Sequence, residues 1–178
     1  MSYANLLLAG PLLATLALAA AVDVRSRRIP NWLLLPSAVS AIVLSFTPLR
    51  VIDPSSALLG LLVGFGLPLI LYAMGAMGGG DVKMFAVIGA WLGTAMVFWI
   101  FLMASIVGMV IVVAQALVQG RMRILARNSA VLSLNLVHFA EVGAAHVRET
   151  GQSCRGVEKP LPYAVPALVA TVLALLLG

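Results

Sequence analysis

Between Thr94 and Val118 this chain carries no charged side chain, and four other long stretches share that property: Asn5–Val22, Pro30–Phe46, Ala57–Met74 and Leu161–Leu177. An α-helix rises 1.5 Å per residue, so about 20 apolar residues cross the hydrocarbon core of a bilayer. Five such stretches in 178 residues leave little room for a water-soluble domain. Composition agrees. Charged residues make up 10% of the chain, against about 25% in soluble domains, and 62% of the residues are hydrophobic. The expected fold is an all-α, polytopic membrane protein forming one domain over residues 1–178.

The segment Val82–Trp91 is apolar but too short to cross unaided. Fused to Thr94–Val118 it would make a helix far longer than the bilayer is thick. Trp91–Thr94, "WLGT", is therefore expected to turn the chain between a short fourth helix and a long fifth, giving about six spans. The N-terminal run ends in small residues as a signal peptide does, but it lacks a basic leading region and equally apolar segments follow. It reads as a retained first span.

The charge distribution sets an orientation. If the N-terminus faces outside, the inner loops are Asp23–Ile29, Gly75–Lys83 and Gln119–Pro160. These contain Arg25, Arg27, Arg28, Lys83, Arg121, Arg123, Arg127, Arg148, Arg155 and Lys159, and only Arg50 falls outside. Loops rich in Lys and Arg stay cytoplasmic, so both termini are expected outside, with an even number of spans. The formal net charge of +5 is then a topology signal. Basic residues interleaved with aromatics on a polar surface are absent, and no nucleic-acid partner is expected. The single cysteine, Cys154, excludes an intramolecular disulfide and a multi-cysteine zinc site.

The inner loop 121–160 has a pattern of its own. At helical spacing Arg123, Arg127, His138, Glu141 and Arg148 fall in a sector of about 80°, opposite Leu125, Leu132, Leu136 and Phe139. Gly143 interrupts it. A helix lying in the membrane interface fits this arrangement; so does a small cytoplasmic helix packed on the membrane domain. His138 and His146 read as solvated or headgroup-facing. Trp32, Trp91 and Trp99 read as interfacial or packing residues, and Met74, Met77 and Met84 as apolar packing.

Two of the six acidic residues stand apart. Asp53, Glu141, Glu149 and Glu158 lie in loops, whereas Asp23 and Asp81 each sit at the inner end of an apolar segment. Carboxylates are costly there and mark functional sites by default. Both belong to the same membrane face, which is a precondition for their meeting. Two carboxylates a few ångströms apart cannot both ionise easily and come to share one proton. Such a pair suits peptide hydrolysis, the ionised member activating water while the protonated member polarises the carbonyl. Simpler readings exist for each residue. Asp23 could pair with Arg25, Arg27 or Arg28, and Asp81 could cap the fourth helix.

A cap leaves three preceding glycines unexplained. Gly78, Gly79 and Gly80 can adopt backbone angles closed to other residues and admit another chain closely. Beside a catalytic carboxylate they would form a strip on which an extended peptide could lie.

The segments "DVRSRRIPN" (Asp23–Asn31) and "GGGDVK" (Gly78–Lys83) resemble the two signature segments of the type IV prepilin peptidases, membrane aspartic proteases of the GxGD class. "PLPYAVP" (Pro160–Pro166) is similar to the start of that family's last span. The likeness covers essentially the whole chain in length, span order and spacing. It implies Asp23 and Asp81 as the catalytic pair and Gly78 and Gly80 as motif glycines, with Gly79 in the free position. It also implies Lys83 as a neighbour that stabilises the ionised pair, binds substrate or simply reaches the headgroups.

The implied substrates are prepilins and pseudopilins, trimmed of a basic leader at the cytoplasmic face of the bacterial inner membrane, with no cofactor. Longer members add an N-terminal region with paired Cys-x-x-Cys motifs and a methyltransferase activity. Here the chain opens on the first span and Cys154 is alone, so neither zinc nor methyl transfer is expected. The short branch serving Flp-type, tight-adherence pili is the better likeness. Two other readings compete: a proton-coupled transporter using Asp23 and Asp81 as carriers, and a non-catalytic subunit of a pilus or secretion machine. The transporter would want mid-membrane carboxylates and inverted repeats, and neither is visible. Nothing in the sequence specifies an oligomeric state.

Overall fold

The computed structural model describes residues 10–26, 29–48, 52–73, 77–137 and 163–177. The described part is all-helical, with six helices and no strand. They are α1 (Gly10–Ser26), α2 (Asn31–Ser45), α3 (Pro54–Ala73), α4 (Gly79–Val118), α5 (Met122–Val137) and α6 (Ala164–Leu177).

Local chemistry accounts for the boundaries. α2 starts directly after Pro30, whose φ of −73° and ψ of 136° are extended. α3 opens on Pro54, a residue suited to the first helical position because its missing N–H would have had no partner there. The carbonyl of Asp53 accepts from the Ala57 N–H at 2.9 Å. α4 ends on Gly120, which has φ 65°, and the Arg121 N–H reaches back to the Ala116 carbonyl at 2.8 Å. A left-handed glycine with a backward bond of this kind is a common helix terminator.

The expected break at "WLGT" is present. Gly93 adopts φ 80° and ψ 178° inside α4, a conformation essentially restricted to glycine. The helix therefore has two arms, 79–92 and 94–118.

α4 is central, packing against α3, α6 and α2, while α1 reaches α6 and α2. Phe85, Met84, Ile88, Val97 and Ile100 of α4 are fully buried, together with Leu12 and Leu16 of α1. The sequence reading did not anticipate which residues of α3 face α4. They are Ala57, Gly60, Gly64 and Pro68, all buried. A methyl group on Gly60 would overlap the Gly89 carbonyl oxygen, and one on Gly64 the Phe85 carbonyl oxygen. Small residues thus let two backbones touch, as in helix packing within lipid.

The outer faces are equally informative. α2 exposes Trp32, Leu35, Val39, Val43 and Phe46 along one stripe and buries Leu34, Ser37, Ala41 and Ser45 opposite it. α3 exposes Leu58, Leu62, Phe65 and Leu69. On α3 the large apolar side chains point outward and the small ones inward. Each large side chain left in water forgoes about 2 kcal/mol. Such outer faces suit an apolar surrounding. α3 and α4 are each long and apolar enough to cross a membrane, and α2 and α6 are shorter apolar helices.

A buried polar link joins three helices. Trp91 donates from Nε1 to the Ser37 carbonyl oxygen at 3.1 Å and lies 3.2 Å from its Oγ. Ser37 Oγ is in turn hydrogen-bonded to Thr15 Oγ1 at 3.2 Å. Of the tryptophans read as interfacial or packing, Trp91 is the packing one, whereas Trp32 and Trp99 are exposed. Met77 and Met84 are buried. Arg123 and Arg127 are exposed on α5. His138, Phe139, Glu141, Gly143, His146, Arg148, Cys154 and Met74 lie outside the described residues.

Candidate active site

The two aspartates expected at loop edges are both in helices. α1 continues past Asp23 to Ser26, and Asp23 is buried, with 7% of the residue exposed. Asp81 occupies the third residue of α4, whose N-cap is Gly78. The cap expected of Asp81 is therefore displaced by one turn: its carboxylate reaches back and accepts from the Gly78 N–H at 3.3 Å. A negative charge in the first turn also suits the helix dipole.

α1 and α4 bring Asp23 and Asp81 close enough for the charge of one to act on the other. Two further contacts tie the same segments. A β-carbon built on Gly80 would lie 3.2 Å from the Ile29 Cβ. Lys83 donates from Nζ to the Asn31 Oδ1 at 2.9 Å. The two motif segments, far apart in sequence, thus meet at Ile29–Gly80 and at Asn31–Lys83.

Of the two properties expected of the glycines, unusual backbone angles are not used at Gly78, whereas close approach of another segment is seen at Gly80. Gly78 has φ −81° and ψ 149°, open to any residue, and among the described residues only Gly93 and Gly120 have positive φ. Gly79 and Gly80 belong to the first turn of α4. Their contribution is room. A β-carbon on Gly78 would stand 3.1 Å from the Asp81 carboxylate oxygen, and Gly80 receives Ile29. Gly79 is less constrained, with the Tyr72 ring at 3.5 Å.

Tyr163, within the third motif segment, reaches α4 one turn after Asp81. Its ring meets Phe85 edge-on with centroids 6.2 Å apart, and Phe85 in turn meets Phe101 at 5.3 Å. The Tyr163 hydroxyl lies 3.1 Å from Ser105 Oγ. Ser105 directs its single proton to the Phe101 carbonyl at 2.8 Å, so Tyr163 is the donor to Ser105. Phe85 lies one turn after Asp81 on the same helical face and is fully buried. The carboxylate pair thus adjoins an aromatic wall contributed by α4 and α6. Tyr163 and Asn31 were visible in the quoted segments, but spacing alone assigned them no part.

A buried carboxylate beside a second one, at the ends of apolar helices, can hold one proton between two acidic groups. That is acid–base chemistry, and an all-helical membrane protein with such a pair belongs among the candidates for intramembrane hydrolysis. The family comparison agrees: a model of the type IV leader peptidase family matches residues 11–113, and the chain belongs to that family. It is a membrane protein of the peptidase class. Comparison with curated proteins and with solved structures found no significant match.

Proposed function

We propose that the protein is an aspartic endopeptidase that removes the leader of type IV, Flp-like prepilins or pseudopilins at the cytoplasmic face of the inner membrane. Asp23 and Asp81 are its catalytic pair. The observation supporting this most directly is the pairing of the two segments that carry them, with Ile29 against Gly80 and the Lys83 ammonium on the Asn31 amide oxygen.

The ionised member of the pair takes a proton from water as it attacks the scissile carbonyl. The protonated member hydrogen-bonds the carbonyl oxygen and stabilises the charge that develops there. Collapse of the tetrahedral intermediate expels the amine, which receives a proton from the pair, and the cycle closes with one proton again shared. Gly78–Gly80 beside Asp81 offers backbone to an extended substrate segment. The positive-inside distribution of Lys and Arg supports a multi-pass arrangement with the pair toward the cytoplasm.

The test is co-expression with a Flp-type prepilin and a gel assay for leader removal. Asp23→Asn and Asp81→Asn should each lower cleavage by about 10²–10⁴-fold, the usual contribution of acid–base groups, while both variants accumulate in the membrane. Asn at 81 keeps an oxygen for the Gly78 N–H, so folding is preserved. Normal processing by either variant would rule out the pair.

A further inference from the structure

We infer that Asn31 and Lys83 form a positioning latch that holds Asp81 in register with Asp23. The inference rests on the catalytic reading of the two aspartates.

α4 presents different faces to different partners within its first two turns. Residues three apart on a helix share a face, whereas residues two apart point to nearly opposite sides. Gly80 and Lys83 are three apart, and Lys83 is two from Asp81. The Gly80–Lys83 face receives the segment that leads into α2, with Ile29 against Gly80 and Asn31 against Lys83. Asp81 lies off that face, and Asp23 is buried near the end of α1.

One contact would let the start of α4 pivot or roll about it. Two contacts along the same face, one apolar and one polar, fix both its rotation and its distance from the α1–α2 connection. Asp23 sits at the other end of that connection, on the last turns of α1. The aspartates therefore keep their spacing because their flanking residues are joined.

Lys83 is suited to this role rather than to direct pairing with the aspartates. Its ammonium is exposed and committed to the Asn31 amide oxygen, and it points away from the Asp81 side of the helix. Asn31, the first residue of α2, has no capping role, since α2 is preceded by Pro30 without a side-chain cap. Its amide oxygen is used across the interface instead. Catalysis is sensitive to misplacement on the scale of 1 Å, so loss of the latch should act on turnover more than on substrate binding.

The experiment is a double-mutant cycle with purified protein in detergent and a prepilin substrate. Asn31→Leu and Lys83→Met should each lower kcat by about tenfold, with KM changed less than about twofold. The double variant should be no worse than the worse single one, as expected for residues acting as a unit. Asn31→Asp, which offers Lys83 a carboxylate, should restore kcat. If Asn31→Leu turns over normally, or raises KM with kcat intact, the latch is wrong and Lys83 acts on substrate or on the pair by charge alone.

A second arm needs no activity. In a Cys154→Ser background, Asn31→Cys/Lys83→Cys should be closed by a short bifunctional thiol crosslinker, whereas Trp32→Cys/Lys83→Cys should crosslink less. Absence of the Asn31–Lys83 crosslink overturns the latch whether or not the protein cleaves prepilin. Crosslinking without cleavage by the wild-type chain would instead count against the proposed function.

Discussion

Gly60 of α3 and Gly89 of α4 meet backbone to backbone, so that a methyl group on either would overlap the carbonyl oxygen of the other. The neighbour in each case is main chain, which cannot swing aside as a side chain does. Gly60→Ala and Gly89→Ala should each cost about 1–3 kcal/mol through forced separation of the helices. Gly66, on the same helix, has nothing within 4 Å. Gly66→Ala should be neutral or slightly stabilising, because alanine is the better helix former. Thermal unfolding of the three variants in detergent checks this, and equal midpoints for all three would refute the close contact.

Gly93 poses the opposite problem. A β-carbon there would meet nothing closer than 3.8 Å, but φ is 80°. Gly93→Ala should therefore cost about 1–3 kcal/mol through backbone strain alone, with no steric share. Gly93→Ser should behave like Gly93→Ala in the same unfolding assay, since the penalty belongs to the dihedral angle and not to the size of the side chain.

The motif glycines separate by what they face. Gly80→Ala must push the Ile29 side chain aside from 3.2 Å, whereas Gly79→Ala finds the Tyr72 ring at an ordinary 3.5 Å. Prepilin cleavage should fall about tenfold for Gly80→Ala, through displacement of the segment leading to α2, and stay near wild type for Gly79→Ala. Initial rates at saturating substrate are the measurement. Equal loss in both variants would mean that the strip is read by substrate and not by Ile29.

Trp91 donates into the Ser37 backbone in a buried position. Trp91→Phe removes that donor and leaves a void where the larger ring was, for an expected loss of about 1–3 kcal/mol. Trp99→Phe, on an exposed face, should change stability little. Unfolding midpoints of the two variants in detergent test the contrast.

Much of the helix layout was legible in the sequence. Uncharged stretches at Pro30–Phe46, Ala57–Met74 and Leu161–Leu177 correspond to α2, α3 and α6 within a few residues, and the turn expected at "WLGT" is the break at Gly93. In a long apolar run the physical constraint is bilayer thickness, and length alone reports it. Which side of each helix packs inward was not legible. A water-soluble helix shows its core face by contrast with a polar one, whereas here both faces are apolar and only residue size differs. The contact of Gly60 with Gly89 follows from that size difference, and it became visible once α3 and α4 were side by side.

For the candidate site, Asp23 and Asp81 were conspicuous because ionisable groups are rare and expensive beside apolar runs. The Lys and Arg distribution gave the expectation that both lie at one membrane face. The work of their neighbours was hidden. Glycine suggested unusual backbone angles at 78–80, yet Gly78 is extended and the need is for space. Lys83 had three open roles, and no spacing in the sequence pointed to its hydrogen bond with Asn31.

Charge and hydropathy are properties of single residues and of runs, so the sequence by itself determined that the chain is helical, where it breaks, and which two acids demand an explanation. Pairing is a property of distance. Only the tertiary structure decided that Ile29 lies on Gly80, that Asn31 is hydrogen-bonded to Lys83, and that Tyr163, just before the last helix, packs on Phe85. No local pattern encodes which distant residues share a few ångströms, because the packing of all the helices together sets that distance.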